Sequence, residues 1–246
     1  MIQVKDRKIG QDYPTFIIGE AGINAGTDLK IAKQLADIAK KAKCDAVKYQ
    51  TFKTTEINFP NITYKETEEL KKYCDEIGIT FLSTPHSISA IDFLEPLVPA
   101  YKIASSFLTR DYFIRRARVK GKPLIVSTGS IAHETRKANI EEINHFLTLV
   151  SNTNLALLYC VSNYPCYNFD IEEFKDFCDT YSSYPVGYSS HSLDINYSLN
   201  AVAHGARIIE QHITLDNDFE CPDKKVSLVP NQLSELVEEI RKIEGE

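Results

Sequence analysis

The chain alternates between short apolar runs and longer segments with helical spacing, and the alternation occurs eight times. The apolar runs lie at 15–22, 45–51, 80–85, 100–106, 123–129, 155–162, 185–190 and 207–214. Near-continuous apolar strands separated by helices are typical of a parallel sheet that is covered on both faces. Eight such units within 246 residues match the size of a (β/α)8 barrel. We therefore predict an α/β fold, a single TIM-barrel domain over residues 1–246.

The segments between the runs carry their apolar residues on one helical face. The clearest is 28–43, where Ile31, Leu35 and Ile38 share a face and lysines occupy the others. A doubly wound open sheet would be built from the same units. No GxGxxG motif for phosphate binding follows the first run, which favours the barrel. The longest irregular connection is predicted at 53–62.

Composition and charge exclude several classes of protein. The formal net charge of −6 leaves no basic surplus to neutralise nucleic-acid phosphates. The first residues contain no apolar core of a signal peptide, and no apolar run is long enough to span a bilayer. The six cysteines form no CxxC pair, which favours reduced thiols. We expect a cytoplasmic protein that binds neither nucleic acid nor membranes.

Polar residues recur at the carboxyl ends of the predicted strands. Active sites of TIM barrels lie at that end of the barrel, whereas the interior is normally filled by branched apolar residues. A polar residue at nearly every strand end therefore predicts an active site there. The residues are Glu20, Asn24, Lys48, Gln50, Ser83, Thr84, Lys102, Ser105, Ser127, Thr128, Asn163, Tyr164, Ser189, His191 and His212.

Two histidines in the last two units predict a metal site. His191 ends one predicted strand and His212 lies near the end of the next. If the two strands are parallel neighbours, about 4.8 Å apart, both imidazoles project from one sheet edge. Imidazoles completed by water and substrate oxygens suit a divalent ion such as Mn2+, with Mg2+ or Co2+ as alternatives. The competing interpretation is two unrelated histidines, one of them a buried strand residue bonded to backbone.

Two lysines in apolar surroundings predict an anion site. Lys48 and Lys102 must face the cavity or be paired, because an unpaired buried charge is costly. Each can bind an anion or act as a Schiff-base nucleophile, and an ion pair with Glu20 or Glu210 competes with both roles. Hydroxyl and backbone donors at 127–129 favour an anion. Glu20 is a candidate general acid or base.

Several motifs in order along the chain make a family resemblance recognisable. They are IIGEAGIN, DAVKYQTF, KKYCDEIGITFLSTP, PAYKIAS, GKPLIVSTG, SNYP, VGYSSHS, IEQHITLD and PDKKVSLVPNQL. Together they resemble the sialic acid (N-acetylneuraminate) synthase family, with its legionaminate and pseudaminate relatives. The resemblance implies a TIM barrel that condenses phosphoenolpyruvate with an N-acylated aldose and releases phosphate. The product is a nonulosonic acid, and a metal ion polarises the open-chain aldehyde.

The resemblance also implies roles for individual positions. His191 and His212 match the metal ligands, and Glu20 matches a carboxylate that transfers a proton or orients the aldose. Tyr164 matches a position near the sugar. The positions that hold phosphoenolpyruvate are matched by Lys48, Lys102, Ser127, Asn163 and Ser189. We group Glu20, Lys48, Lys102 and Tyr164 as catalytic, and Gln50, Ser105, Ser127, Thr128, Asn163, Ser189 and Asp223 as substrate-binding.

The chain departs from the family pattern at four places. The histidine of the family's NHNG or NHEG motif is missing at Asn24–Gly26, and Phe107 stands where the family has a glutamate. The family's SDHT motif is replaced by SSHS at 189–192. Its GPDH motif is replaced by CPDK at 221–224. Typical members append an antifreeze-like domain as a lid, and the sequence ends at the last predicted helix. We expect a barrel without this domain. A homodimer and a separate protein that supplies the lid are both left open.

Three functional hypotheses stay open. The leading one is a metal-assisted synthase that uses phosphoenolpyruvate and an amino-sugar. The second is an aldolase-type lyase with Lys48 or Lys102 as a Schiff base. The third is a barrel that has lost catalysis and acts as a binding or regulatory subunit, as the replacement at Phe107 suggests.

Overall fold

The fold is a nearly closed barrel of eight parallel strands surrounded by helices, as seen in a computed structural model. The structure describes residues 1–53, 61–130, 132–151 and 154–245. Ten strands form two sheets within these residues, one with two strands and one with eight. Their bounds are β1 Ile2–Val4, β2 Arg7–Ile9, β3 Phe16–Gly22, β4 Ala46–Thr51, β5 Thr80–Pro85, β6 Tyr101–Ile103, β7 Leu124–Ser127, β8 Leu155–Cys160, β9 Val186–Ser190 and β10 Ile208–His212.

The barrel strands follow one another around the sheet in chain order, and β10 returns to pair with β3. Strands β5 and β6 at the two ends of the hydrogen-bonded order also contact each other, so the sheet curls back on itself. A helix follows each barrel strand. The helices are α1 Leu29–Lys41, α2 Tyr64–Glu76, α3 Ile88–Leu94, α4 Asp111–Arg118, α5 Ile140–Leu149, α6 Ile171–Thr180, α7 Ile195–Ala203 and α8 Pro230–Ile243.

Capping residues and a glycine lie where the helices begin and end. Asp28 caps α1 by accepting from the N–H groups of Lys30 and Ile31. Thr63 and Glu66 form a capping box at the start of α2. Gly205, with φ +102°, ends the segment of α7 in a conformation that side chains disfavour. The parallel strands and the helices that alternate with them confirm the predicted TIM barrel. Most of the predicted irregular connection, residues 54–60, lies outside the described residues.

The first ten residues form a feature that the sequence did not predict. Strands β1 and β2 pair as an antiparallel hairpin, with Lys5 at φ +57° in its turn. Ile2, Val4 and Ile9 of this hairpin are buried against inward-facing barrel residues. Those residues are Phe16, Ile18, Ala46, Leu82, Ala100, Ile125, Ala156, Leu158 and Ile208. The hairpin therefore fills the end of the barrel interior that lies away from the strand carboxyl termini.

No helix within the described ranges is both long and apolar enough to cross a membrane.

Gly187 shows how closely β9 packs against its neighbours. A Cβ on Gly187 would lie 2.4 Å from the backbone oxygen of Ile208 and 2.6 Å from Cδ2 of Leu158. Because backbone cannot give way as a side chain can, we expect Gly187→Ala to lower the free energy of unfolding by about 3 kcal/mol. Gly10→Ala is the matched control, since its Cβ would meet Met1 at an ordinary 3.5 Å. Urea denaturation of both variants checks this, and equal midpoints would contradict it.

Candidate active site

Side chains from all eight barrel strands or the loops after them converge at the carboxyl end of the barrel. They line a cavity of about 220 Å³. Of the thirteen residues grouped as catalytic, substrate-binding or metal-binding from the sequence, ten line it: Glu20, Lys48, Gln50, Lys102, Ser105, Ser127, Tyr164, Ser189, His191 and His212. The parallel register sets His212 level with Glu20, and Glu20 level with Lys48, on three adjacent strands. The sheet thus brings together residues that are far apart in sequence.

Two lysines and two glutamates form the floor of the cavity. Nζ of Lys48 lies 2.7 Å from Oε2 of Glu20 and 3.5 Å from Oε2 of Glu210. Nζ of Lys102 lies 3.4 Å from Oε1 of Glu210 and donates to Oγ of Ser127 at 2.7 Å. The four charged side chains are at most 7% exposed. The ion pairs with Glu20 and Glu210, which the sequence offered as an alternative to anion binding, are therefore present. Both lysines nevertheless face the cavity.

The two carboxyl groups differ in their proton affinity. Burial, reinforced by the charge of Glu210, raises the pKa of Glu20 to about 7, although Lys48 opposes the shift. Burial also acts on Glu210, but Lys102 and Lys48 outweigh it and lower its pKa to about 2. Near neutral pH Glu210 is ionised while Glu20 is only partly so. With Glu20 protonated, the cluster carries one net positive charge, which favours an anionic ligand.

The two lysines also differ. Burial opposes the charge of Lys48, but Glu20 and Glu210 outweigh it and raise the pKa of that ammonium group. Burial lowers the pKa of Lys102, because Glu210 alone compensates less. Lys48 also donates to Oγ1 of Thr84 at 3.0 Å. Lys48 is thus a fixed cation, whereas Lys102 is the more readily deprotonated amine.

The two histidines lie side by side at one wall of the cavity. Their ring centroids are 5.5 Å apart, and strands β9 and β10 that carry them are parallel neighbours. Nδ1 of His191 donates to the backbone oxygen of Val161 at 2.8 Å, which leaves Nε2 to accept from the hydroxyl of Tyr164 at 2.7 Å. Burial, together with the positive charge of neighbouring side chains, lowers the pKa of both His191 and His212 to about 3. Both imidazoles are therefore neutral at physiological pH.

These imidazoles fit a divalent metal ion. Nδ1 of His212 is buried and has no hydrogen-bond partner within the described residues, and Oδ2 of Asp223 lies 3.5 Å from it. A neutral imidazole nitrogen is a common ligand of Mn2+ and Zn2+, and Nε2 of His191 would become one by releasing the hydroxyl of Tyr164. In the described ranges, three or more His, Cys, Asp or Glu side chains nowhere form a complete protein-only metal cluster. Substrate or water oxygens would have to supply the other ligands.

Three residues grouped as substrate-binding from the sequence do not line the cavity. Thr128 follows the inward-facing Ser127, so strand alternation turns it outward, where its hydroxyl donates to the backbone oxygen of Leu158 at 3.0 Å. Asn163 is exposed in the loop after β8. Asp223 lies beside His212 at the rim rather than in the cavity wall. Thr128 is therefore not among the side chains that line this cavity, and its assignment to the substrate stays a prediction.

Asn24 supports the site without lining it. Its amide nitrogen donates to the backbone oxygen of Ile213 at 2.9 Å and to Ser227 at 3.0 Å. Its oxygen accepts from the backbone N–H of Asp223 at 3.0 Å. In the segment where the family's histidine is missing, the side chain of Asn24 therefore fixes the loop that carries Asp223 next to His212.

Sequence reasoning did not assign a role to several cavity residues. Glu210 was expected only as a possible ion-pair partner of the lysines and Thr84 only as a polar strand end, and no role was predicted for His86 and Ser162. Alternation along β5 was the available signal for Thr84 and His86, since Thr84 is an inward-facing position of the strand and His86 continues the alternation just past its end. Ser162 lies 3.3 Å from Ser105 through their hydroxyl oxygens.

Comparisons with known proteins agree on one family. The family model described as NeuB matches residues 57–246. The chain is 32% identical to N,N'-diacetyllegionaminic acid synthase of Legionella pneumophila, covering 96% of this chain and 74% of that protein. It is 29% identical to human N-acetylneuraminate-9-phosphate synthase, covering 97% of this chain and 72% of that protein. The crystal structure of sialic acid synthetase from Leptospira borgpetersenii, in complex with citrate, superimposes with a TM-score of 0.91 at 31% identity. That match covers 99% of this chain and 88% of that one.

Proposed function

This chain belongs to the NeuB family of sialic-acid-type synthases, and we propose that it condenses phosphoenolpyruvate with an N-acylated aldose to give a nonulosonic acid. Carbon C3 of phosphoenolpyruvate forms the new bond to the aldehyde carbon, water adds at C2, and inorganic phosphate leaves. The observation that carries the proposal is the buried cluster of Lys48, Lys102, Glu20 and Glu210 beside two neutral histidines.

The lysine side of the cavity suits phosphoenolpyruvate. Lys48 and Lys102 would bind its phosphate and carboxylate, with hydroxyl groups of Thr84, Ser127 and Ser189 as further donors. Removing such an anion from water is compensated only where fixed positive charge is already in place. Glu210 holds both ammonium groups in position, since its two oxygens contact one lysine each.

The histidine side suits the aldose. A divalent ion bound by His191 and His212 would polarise the aldehyde carbonyl. Tyr164, whose hydroxyl contacts His191, and Asp223 beside His212 would orient the sugar from the rim. Glu20 stands between the two sides, level with both His212 and Lys48, where it would accept the proton of the water that adds at C2.

A screen for phosphate release tests the proposal. The purified chain is incubated with phosphoenolpyruvate, Mn2+ and a panel of N-acylhexosamines, and inorganic phosphate and the nonulosonic acid are measured together. We expect at least one sugar to give equal amounts of both. Phosphoenolpyruvate that binds without turnover on any sugar would instead favour a non-catalytic barrel, the reading suggested by Phe107. That side chain is buried, stacked on Phe113 with ring centroids 4.1 Å apart.

The pH profile should report the ionisation of Glu20. Because its pKa is raised to about 7, the fraction able to accept a proton falls as the pH drops below neutrality. We expect kcat/KM to decline about tenfold per pH unit below pH 7. Glu20→Gln should lower the rate and abolish this limb, whereas Glu244→Gln, at the far end of the barrel, should keep it. A rate that falls above pH 7 instead would assign Glu20 the role of proton donor.

The lowered pKa of Lys102 favours one alternative function, a Schiff-base lyase. A neutral amine there could condense with the carbonyl of a keto-acid and release water. Treatment with pyruvate and borohydride would reduce that imine to a secondary amine, which adds a fixed mass to the chain. We expect no adduct, because Glu210 and Ser127 hold Lys102 as an ammonium ion. An adduct that disappears in Lys102→Arg would establish the lyase.

A further inference from the structure

His86 occupies a position in the cavity for which the proposed mechanism has no role. It lines the cavity directly after β5, and its Nε2 is buried with no hydrogen-bond partner within the described residues. A buried polar nitrogen without a partner is unfavourable, so such an atom in a cavity wall usually meets a ligand or an ordered water. This nitrogen is therefore the strongest unused polar group in the cavity.

The imidazole of His86 is held in a fixed orientation. Its ring stacks on Phe52, with centroids 4.2 Å apart, and meets the edge of Phe107 at 5.5 Å. Its backbone N–H donates to the backbone oxygen of Thr51 at 2.9 Å. Phe107 is itself stacked on Phe113. A polar atom on a ring clamped between aromatic residues is preorganised for a ligand, because little conformational freedom is lost when it binds.

The position of His86 indicates which substrate it meets. Thr84, two residues earlier, contacts Lys48 on the cavity floor. Residues two apart in a strand share a face, so His86 lies one layer nearer the mouth, roughly 6–7 Å along the strand. Phosphoenolpyruvate is assigned to the lysine floor, and the second substrate must approach from the mouth. His86 thus belongs to the layer of the second substrate.

The charge of His86 agrees with that assignment. Burial, and then the positive charges of Lys48, Lys102 and Arg110, lower its pKa to about 4, so the ring is neutral at physiological pH. A neutral N–H adds no charge to hold a phosphate, but it matches a hydroxyl or carbonyl oxygen of a sugar. The floor already contains two lysines for the anion.

We propose that His86 is a specificity-determining residue whose Nε2 hydrogen-bonds an oxygen of the bound N-acylated aldose. This inference rests on the proposed function and deepens it, since it places the sugar against the end of β5 as well as against the histidine side. His86 and the pair His191 and His212 would then contact the sugar from different walls of one cavity.

Two variants test the proposal. His86→Phe keeps a ring for the stack on Phe52 but removes the nitrogen, and His86→Gln places an amide nitrogen near the position of Nε2. We expect His86→Phe to raise the KM for the aldose about tenfold, with kcat and the KM for phosphoenolpyruvate changed less than twofold. His86→Gln should restore at least half of the lost affinity. A His86→Phe variant with unchanged KM for the aldose, or with both KM values and the thermal midpoint altered together, would overturn the proposal.

A binding experiment separates this test from the proposed function. The side-chain ¹⁵N resonances of His86 are assigned by their loss in His86→Phe and followed while N-acetylmannosamine or phosphoenolpyruvate is added to the wild-type protein. We expect the Nε2 resonance to shift with the sugar and not with phosphoenolpyruvate alone. A shift with the sugar in a protein that releases no phosphate would support His86 while the proposed function fails. A shift with phosphoenolpyruvate alone, or none with either ligand, would overturn the role of His86.

Discussion

Lys48→Met should lower kcat/KM for phosphoenolpyruvate about 10³-fold, the size of loss that follows removal of a preorganised charged donor from a closed site. Lys48 is the central cation of the cluster, since its ammonium group contacts both Glu20 and Glu210. Methionine fills a similar volume, so the cavity keeps its shape while it loses its charge. Lys33→Met is the matched control, because Lys33 pairs with Glu69 on the outer helices.

The same variant should acquire a pH-dependent stability. Without Lys48 the carboxyl groups of Glu20 and Glu210 lose their shared counter-charge, so the pKa of Glu20 rises further above that of the unfolded chain and the pKa of Glu210 rises from its lowered value. A group whose pKa is raised by folding favours the folded state when protonated, so stability is lost as the pH rises. Thermal unfolding at pH 5.5 and pH 8 should therefore show a larger drop between the two for Lys48→Met than for the wild-type protein. Activity within tenfold of wild type and parallel unfolding curves would contradict both expectations.

His212→Asn should lower phosphate release by about 10²–10³-fold, because Nδ1 of His212 is one of the two imidazole nitrogens assigned to the metal. His191→Asn should behave alike. Binding of Mn2+ to the chelator-treated protein can be followed by the loss of the free-ion paramagnetic resonance signal, which does not depend on turnover. We expect one site per chain in the wild-type protein and none in either variant. His204→Asn, with its ring on the exposed end of α7, should bind and react as wild type does.

Chelation provides the complementary measurement. The treated wild-type protein should lose activity and regain it as Mn2+, Mg2+ or Co2+ is added back, with the order of recovery identifying the preferred ion. Full activity after chelation, or a His212→Asn protein with an unchanged rate, would remove the metal from the proposed mechanism.

The barrel could be predicted from sequence because each unit carries two independent signals. Continuous apolar runs mark strands that are buried on both faces, and single-faced apolar patterns with Asp28 or Thr63 at their start mark the helices. The hairpin at the N-terminus was missed because β1 and β2 are three residues each, too short for periodicity to register. Its burial depends on a barrel end that only the folded structure creates.

The candidate site was predictable to the extent that strand order could be inferred. His191 and His212 could be paired because their strands are consecutive, and consecutive parallel strands are usually neighbours. Glu20 and Glu210 could be named as possible partners of the lysines, but that Glu210 contacts both could not be predicted, since it is remote in sequence from each. That Thr128 lies outside the cavity could not be predicted, because a run of polar residues past Ser127 does not reveal which face each one takes. His86 was overlooked although it continues the alternation of β5, because an isolated histidine after a strand is common.

The hairpin of β1 and β2 limits the route by which substrates reach the site. Because the hairpin fills one end of the barrel interior, substrates, water and products must all pass through the opening at the other end. Under the proposed function, phosphoenolpyruvate binds to the lysines before the sugar enters. The bound sugar then covers it until reaction. We therefore expect compulsory-order kinetics, with phosphoenolpyruvate first.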